Sequence, residues 1–526
     1  MALHSPHPDI EVPAVSLPSY VLEHADALGD KAALVDGPSG RTLSYAQLAR
    51  SVRRLAAGLS APGPPPRPRP ARGWSKGDVF GILAPNSPEY AVAFHGVALA
   101  GGVLTTMNPT LTPDELSRQL GDAGARYLLT VPQLLGPATE AARSAGVEEV
   151  FVLGGDGTAT PFSALLHPDP TPPSVEIDPA RDLVALPYSS GTTGFPKGVM
   201  LTHRNLVANV RQTGAVLGVR ESDTVIGVLP FFHIYGMTVI LNVALRLGAT
   251  VVTMPRFDLE QLLRLLQDHR VTRAYLVPPI VLALAKHPAV DDYDLTALDV
   301  ILSGAAPLGP ELAGACGRRL GCEMAQGYGL TETSPVTHLV PGGAGGERLG
   351  SVGPLVPGTE GRIVDPDSGE DLGAERTGEL WVRGPQVMRG YLHDEEATAA
   401  VLDADGWLHT GDLARVDDDG WLYLVDRLKE LIKYKGYQVA PAELEAVLLD
   451  HDAVRDAAVV PEPDEEAGEV PKAFVVVDGD VTPDELMAFV AKRVAPYKRV
   501  RRVELIDEIP KTASGKVLRR ELRDAG

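Results

Sequence analysis

Val79-Phe80-Gly81-Ile82-Leu83, followed by Glu89-Tyr90-Ala91-Val92-Ala93-Phe94-His95-Gly96-Val97-Ala98-Leu99, is a short apolar run that feeds a helical pattern. The same order returns at residues 249–254 and 259–269. Strands alternating with helices in this way predict an α/β protein with largely parallel sheets. Working outward, no repeat of fixed period interrupts the alternation. The stretch Pro62-Gly63-Pro64-Pro65-Pro66-Arg67-Pro68-Arg69-Pro70 lacks the amide donors that a helix or inner strand needs, and reads as a surface loop ahead of Val79. From about Asp426 the character changes: Arg427, Lys429, Lys433 and Lys435 precede Gly436, then come a helix signal at 442–449 and strands near Ala457 and Phe474. A boundary is predicted there, with residues 1–426 as a large body and 427–526 as a small, hinged α+β cap.

A chain of 526 residues exceeds what one hydrophobic core usually holds, about 250 to 300 residues. Apolar residues make up 44% and charged residues 22%, so most of the chain can bury a core. With 48 Lys and Arg against 69 Asp and Glu, the formal charge of −21 argues against nucleic acid and anionic membrane as partners. A small anion can still bind, because it meets local amides, a metal ion and a few cationic side chains rather than the sum. The two cysteines, Cys316 and Cys322, exclude a disulfide scaffold and a four-cysteine zinc site, and fit a reducing cytoplasm. Residues 1–16 do not read as a secretory signal, and the longest charge-free apolar run, 234–245, is short of the ~20 residues that span a bilayer. A soluble, cytoplasmic protein is expected, of oligomeric state the sequence does not set.

Tyr188-Ser189-Ser190-Gly191-Thr192-Thr193-Gly194-Phe195-Pro196-Lys197-Gly198 follows the apolar run at 183–186. Glycines free its backbone, hydroxyls surround them and a lysine closes the segment, so amides and hydroxyls can wrap phosphate oxygens; composition alone also permits an ordinary turn. It is not a P-loop, because Gly198 follows Lys197 where Ser or Thr would stand. Gln326-Gly327-Tyr328-Gly329-Leu330-Thr331-Glu332-Thr333 sets a ring between glycines beside a hydroxyl and a carboxylate. That ring could stack on a purine while Thr331 and Glu332 reach a phosphate and its Mg²⁺, or it could be a packed Tyr at a strand end. Gly406-Trp407-Leu408-His409-Thr410-Gly411-Asp412 and Asp426-Arg427-Leu428-Lys429-Glu430 offer an Asp beside Gly, which takes ribose hydroxyls or simply turns the chain. Pro510-Lys511-Thr512-Ala513-Ser514-Gly515-Lys516 ends on a lysine that, taken alone, is a solvated charge.

In this order the segments resemble the adenylate-forming superfamily of acyl-CoA synthetases, luciferases and nonribosomal adenylation domains, from about residue 43 to 520. Pro230-Phe231-Phe232-His233-Ile234-Tyr235-Gly236, Gly378-Glu379-Leu380-Trp381-Val382-Arg383-Gly384 and Lys429-Glu430-Leu431-Ile432-Lys433-Tyr434-Lys435-Gly436 resemble its 4-coumarate:CoA ligase branch. The resemblance implies a large N-terminal domain of stacked α/β sheets plus a small barrel-like subdomain, and a small mobile α+β C-terminal domain. It implies ATP and CoA as co-substrates, Mg²⁺ as cofactor, and a cinnamate- or 4-coumarate-type acid that becomes an acyl-adenylate and then a thioester.

Site residues follow from the same resemblance. Ser189, Ser190, Gly191, Thr192, Thr193, Gly194, Lys197 and Thr331 would hold the phosphates and Glu332 the metal. Gln326, Gly327 and Tyr328 would lie along the adenine, and Asp412 and Arg427 would take the ribose. Lys516 would bridge carboxylate and nucleotide, with Lys433, Gln438 and His233 completing the catalytic set. Lys429 would be the hinge that swings Lys516 away and brings Lys435 and Gly436 to the CoA thiol. The acyl slot would be lined by Ile234, Tyr235, Thr238, Tyr275, Gly304, Ala305, Gly327, Gly329, Pro335, Val336 and Thr337. Leu302 stands where plant coumarate ligases commonly carry Lys and cannot bond a ring hydroxyl, so unsubstituted cinnamate is expected to do at least as well as 4-coumarate; Thr337, replacing a usual aliphatic residue, makes the deep end more polar. A medium-chain fatty or other aryl acyl-CoA ligase and a free-standing adenylation enzyme are the alternatives. Intact Lys516, Glu332, Asp412 and Arg427 argue against an inactive binding protein.

Overall fold

Val79–Leu83 is a strand and Pro88–Leu99 the helix after it, entered through Ser87, whose hydroxyl accepts the Tyr90 N–H while Pro88 opens the first turn. The second predicted pair is strand Thr250–Thr253 and helix Leu259–Asp268, which Asp258 caps by accepting from the Gln261 N–H. The computed structural model describes residues 2–60, 73–155, 159–189, 196–346, 348–435, 437–464, 467–512 and 515–524, with the backbone alone at 438 and 524. The proline-rich stretch at 62–70 lies outside the described residues.

Two large sheets carry the alternation. In one, the parallel strands Val103–Thr106, Val79–Leu83, Ala125–Thr130 and Glu149–Val152 lie side by side, and Leu183–Ala185, Lys197–Thr202 and Tyr188–Ser189 extend the edge. In the other, Glu323–Gly329, Val300–Ser303, Arg273–Leu276, Thr224–Gly227, Thr250–Thr253 and Ala32–Asp36 run parallel, with antiparallel strands at both edges. Strands such as Val300–Ser303 are buried at every residue, as parallel strands covered on both faces must be, so their sequence is a continuous apolar run.

A third sheet is antiparallel, in the order Leu3–His4, Glu360–Val364, Gly378–Arg383, Leu408–Val416 and Leu422–Arg427. One apolar core runs through all three sheets. A fourth sheet, built from Tyr437–Val439, Ile432–Tyr434, Gly468–Val477, Val454–Asp464 and Arg502–Leu505, has separate cores on its faces. Helices Pro441–Leu449 and Pro483–Ala491 cover one of those faces. Between the third and fourth sheets, Leu413, Leu431 and Ala440 form a small buried cluster with Val425 and Leu428. Arg427, expected to open the second domain, is the last residue of its third-sheet strand. Among the described residues no helix is long and apolar enough to cross a membrane.

Candidate active site

The strands Arg273–Leu276, Val300–Ser303 and Glu323–Gly329 are parallel neighbours, so their carboxyl ends share one edge, the place where α/β sheets bind ligands. That edge carries Gly304 and Ala305 after one strand and Leu330 to Thr333 after another. Ala305 takes φ 69°, a left-handed conformation that a residue with a side chain adopts at a cost of order 1–3 kcal/mol. A methyl group at Gly304 would lie 3.1 Å from a ring carbon of Tyr235, so this glycine lets the ring reach the strand end. The Tyr235 hydroxyl donates to the Leu302 carbonyl at 3.1 Å. Tyr235 opens a π-helix, Tyr235–Asn242, a rare form that recurs at functional sites. Ile234, Thr238, Tyr275, Val336 and Thr337 are all buried, and the Thr238 hydroxyl has no partner among the described residues.

Tyr328 lies on the strand Glu323–Gly329 and donates its hydroxyl to Asp412 at 2.6 Å. Gln326, on the same strand, donates to the Leu308 carbonyl at 3.2 Å. Asp412 sits in the third sheet opposite Arg427, whose guanidinium lies 3.0 Å from the carboxylate. Burial raises the Asp412 pKa, and Arg427, Tyr328 and Lys516 act against it.

Ser189 and Lys197 are cross-strand partners, so the chain leaves and re-enters the first sheet side by side around residues 190–195. Ser190, Gly191, Thr192, Thr193 and Gly194 lie outside the described residues. Ser189 donates to Glu332 at 3.0 Å, and Tyr391 donates to the same oxygen at 2.9 Å. Lys197 pairs with Asp394 at 3.3 Å and sits 5.3 Å from the centre of the Tyr391 ring. Glu332 therefore faces the strand ends on either side of residues 190–195, and Thr331 precedes it in the same helical turn.

Lys516 reaches this edge from the C-terminal segment of the chain. A Cβ on its neighbour Gly515 would be 3.2 Å from Val277, just past the strand Arg273–Leu276. Burial lowers the Lys516 pKa, Arg427 lowers it further, and Glu430, Asp412 and Glu332 oppose them. The His233 pKa is pushed down to about 4 by burial and then by Lys516, and its Nδ1 accepts the Tyr235 N–H at 3.3 Å. The fold thus gathers His233, Glu332, Asp412, Arg427 and Lys516 from distant parts of the sequence.

Other expected residues stand apart. Lys429 is exposed in the turn after Arg427, where the Glu430 N–H closes on the Arg427 carbonyl at 3.0 Å. Lys433 and Lys435 are exposed around the hairpin turn that follows. Lys435 takes φ 47°. Gly436 and the Gln438 side chain lie outside the described residues. A Cβ at Gly329 would stand 1.9 Å from the Pro335 carbonyl oxygen, and one at Gly327 would stand 3.0 Å from Leu339, so backbone crowding demands at least the former.

Sequence reasoning missed Tyr391 and Asp394, which bond Glu332 and Lys197, because no local pattern marks a strand that pairs far away in sequence. It also missed the buried amides of Asn205, Asn209 and Gln212, whose spacing on one helix was the available signal.

The sequence profile described as AMP-binding enzyme matches residues 21–392, and that of the AMP-binding enzyme C-terminal domain matches residues 443–516. The chain belongs to the AMP-binding enzyme family. It is 46% identical to 4-coumarate--CoA ligase 5 of Oryza sativa subsp. japonica, over 98% of this chain and 96% of that one. To 4-coumarate--CoA ligase 1 of Petroselinum crispum it is 42% identical, over 98% and 95%. Among solved structures it resembles the anthranilate CoA ligase AuaEII in complex with anthranoyl-AMP, with TM-score 0.89, 27% identity and 98% of both chains covered. It also resembles ATP-bound MatB from Rhodopseudomonas palustris, with TM-score 0.86, 28% identity and coverage of 98% and 99%.

Proposed function

We propose that this chain is an ATP-dependent, AMP-forming carboxylic acid:CoA ligase acting on cinnamate- and 4-coumarate-type acids. The observation that supports it most is the placement of the half-buried Lys516, beside Gly515 against Val277 at the strand end, in the combined field of Arg427, Asp412 and Glu332. In the first half-reaction a carboxylate oxygen of the acid attacks the α-phosphorus of ATP, the bond to pyrophosphate breaks, and an acyl-adenylate forms. A preorganised ammonium at Lys516 would draw the two anions together and stabilise charge on the α-phosphoryl oxygens, an effect worth about 3–4 kcal/mol for one such donor elsewhere. Ser189, the glycine-rich residues after it, Lys197 and Thr331 would take the phosphates. Tyr328 and its neighbours Gln326 and Gly327 would flank the adenine, and Asp412 with Arg427 would bind the ribose. Glu332 would hold Mg²⁺: its carboxylate oxygen beside Ser189 fits a hard cation that takes one protein carboxylate, fills its shell with phosphates and water, and lends them positive charge.

In the second half-reaction the CoA sulfur bonds to the acyl carbon, AMP leaves and the thiol proton goes to solvent or base. We read residues 427–526 as a unit that turns about Lys429 relative to residues 1–426, bringing Lys433, Lys435, Gly436 and Gln438 towards the adenylate. His233 would stand at the mouth of the acyl slot. The slot itself is apolar at Leu302, and the Tyr235 hydroxyl is already bonded to backbone, which supports cinnamate as at least as good a substrate as 4-coumarate. Free thiols at Cys316 and Cys322 support a reducing cytoplasm as the location.

The test is thioester formation with ATP, Mg²⁺, CoA and cinnamate, 4-coumarate, benzoate or octanoate, with Lys516→Ala alongside. Thioester chiefly from the phenylpropanoids, lost in K516A, is expected. Turnover of octanoate or benzoate alone would keep the ligase and overturn the pocket reading, and no thioester from any acid would overturn the CoA ligase assignment.

A further inference from the structure

Helix His203–Leu217 turns Asn205, Asn209 and Gln212 into the interior at i, i+4 and i+7, positions where an apolar stripe is the rule. Asn209 and Gln212 are completely buried. Burying an amide costs free energy unless every group is bonded, and an apolar residue would fill the space without that demand. The bonds these amides make are therefore informative.

Asn209 holds both backbone groups of Val336: its Nδ2 donates to the carbonyl at 2.7 Å and its Oδ1 accepts the N–H at 3.0 Å. Asn205 donates to the carbonyls of Pro385 and Val387, at 2.9 and 2.8 Å. Gln212 donates to the Pro357 carbonyl at 2.8 Å and to the Gln386 side chain at 3.0 Å. Gln386 in turn donates to the Thr359 hydroxyl at 2.7 Å and accepts from the Ser334 hydroxyl at its carbonyl, at 2.8 Å. The Met388 N–H bonds the Glu332 carbonyl at 2.8 Å. The segment so clamped carries Thr331 and Glu332 at one end and Val336 and Thr337 at the other. One hydrogen-bonded network thus connects the segment's two ends.

We propose that Asn209 is a positioning residue for adenylation, fixing through Val336 the placement of Thr331 and Glu332 relative to the acyl slot. The inference rests on the ligase reading above. Adenylation needs acid and ATP held in one attack geometry, where a displacement near 1 Å costs about a hundredfold, whereas a preformed acyl-adenylate already has both parts joined.

The test measures the halves separately: acid-dependent exchange of pyrophosphate into ATP, and thioester formation from supplied cinnamoyl-adenylate and CoA. For Asn209→Ser, exchange is expected to fall about a hundredfold while thioester formation from the adenylate changes by less than about threefold. Equal losses in both halves, or exchange within about threefold of the wild type, would overturn the proposal and leave the ligase reading standing. A wild-type enzyme silent in both assays would overturn the two together. Gln386→Met, which keeps Asn209 but removes a side-chain partner of Gln212, whose Oε1 accepts from Asn209 at 3.2 Å, is expected to lose about tenfold in exchange with the same split, and the double variant to lose less than the product of the two single losses. Should N209S fail to fold, the split in Q386M decides.

Discussion

Asp412 and Arg427 stand opposite each other in neighbouring antiparallel strands, and that register brings guanidinium and carboxylate to 3.0 Å at the edge of the site. Asp412 is 5% exposed, and the Tyr328 hydroxyl bonds its other oxygen. Removing Arg427 therefore leaves a buried carboxylate with only Lys516 to offset its charge, a defect that costs at most about 3–5 kcal/mol. Arg427→Leu should lower the unfolding midpoint measured without ATP and raise KM for ATP. Adding Asp412→Asn should recover part of the stability but none of the ATP affinity. Unfolding of R427L at the wild-type midpoint would show that the pair adds nothing to the fold.

Lys516 gives a prediction with a sign. Burial and Arg427 both favour its neutral form, so its pKa lies below the usual lysine value despite Glu430, Asp412 and Glu332. In the proposed role Lys516 acts as the ammonium, so the adenylation rate should fall as pH rises through that lowered pKa, on the alkaline side. An arginine at the same place stays protonated throughout. Pyrophosphate exchange by Lys516→Arg, however slow, should lose the alkaline limb that the wild type shows. A limb that persists unchanged in K516R would belong to another group.

Much of this arrangement was legible beforehand, and the limits follow from range. The strand at Val79 and the helix after it are local patterns of burial and capping, and both emerged within a residue of the expected bounds. Gly329 was expected only as lining of the acyl slot; that a Cβ there would meet the Pro335 carbonyl at 1.9 Å depends on a turn of the chain that no local pattern marks. Tyr391 was not legible, because its bond to Glu332 depends on pairing between strands Lys197–Thr202 and Gly390–Tyr391 that no spacing encodes. Asn209 escaped for another reason. An amide on a helix reads as a surface residue until burial is known, and only its partners, both backbone groups of Val336, show it as a brace.

Two glycines at the acyl edge should behave differently when given a methyl group. At Gly304 the new atom would sit 3.1 Å from the Tyr235 ring, a side chain that must give way by only a few tenths of an ångström. Gly304→Ala should fold, keep KM for ATP, and raise KM for cinnamate as the slot narrows. At Gly329 the obstacle is the Pro335 carbonyl, which is backbone and cannot yield. Gly329→Ala should displace the segment that bears Glu332 and depress kcat with every acid. Steady-state kinetics with cinnamate and ATP varied in turn separate the two, and a G304A variant with unchanged KM for cinnamate would remove Gly304 from the slot.

His95, on the helix Pro88–Leu99, adds to the pH dependence of stability. It is fully buried, its ring stands edge-on to Phe94 at 5.4 Å, and neither ring nitrogen has a hydrogen-bond partner among the described residues. Burial pushes its pKa down to about 3 from an ordinary 6.5. The folded protein thus keeps the ring neutral where the unfolded chain takes up a proton, so stability must fall as pH drops below about 6.5 and go on falling towards 3. Between pH 8 and pH 5 this one group withdraws about 2 kcal/mol. His203, His233 and His338 are depressed by burial in the same way, so the wild-type slope is shared. The difference between His95→Leu and wild type isolates one ring. It should favour the variant at neutral pH, because two unmet polar groups are gone at about 1–3 kcal/mol each before any packing strain, and it should widen as the buffer is taken to pH 5. Denaturant midpoints of both proteins across that range measure it. A gap that stays constant with pH would mean that His95 binds its proton as readily folded as unfolded.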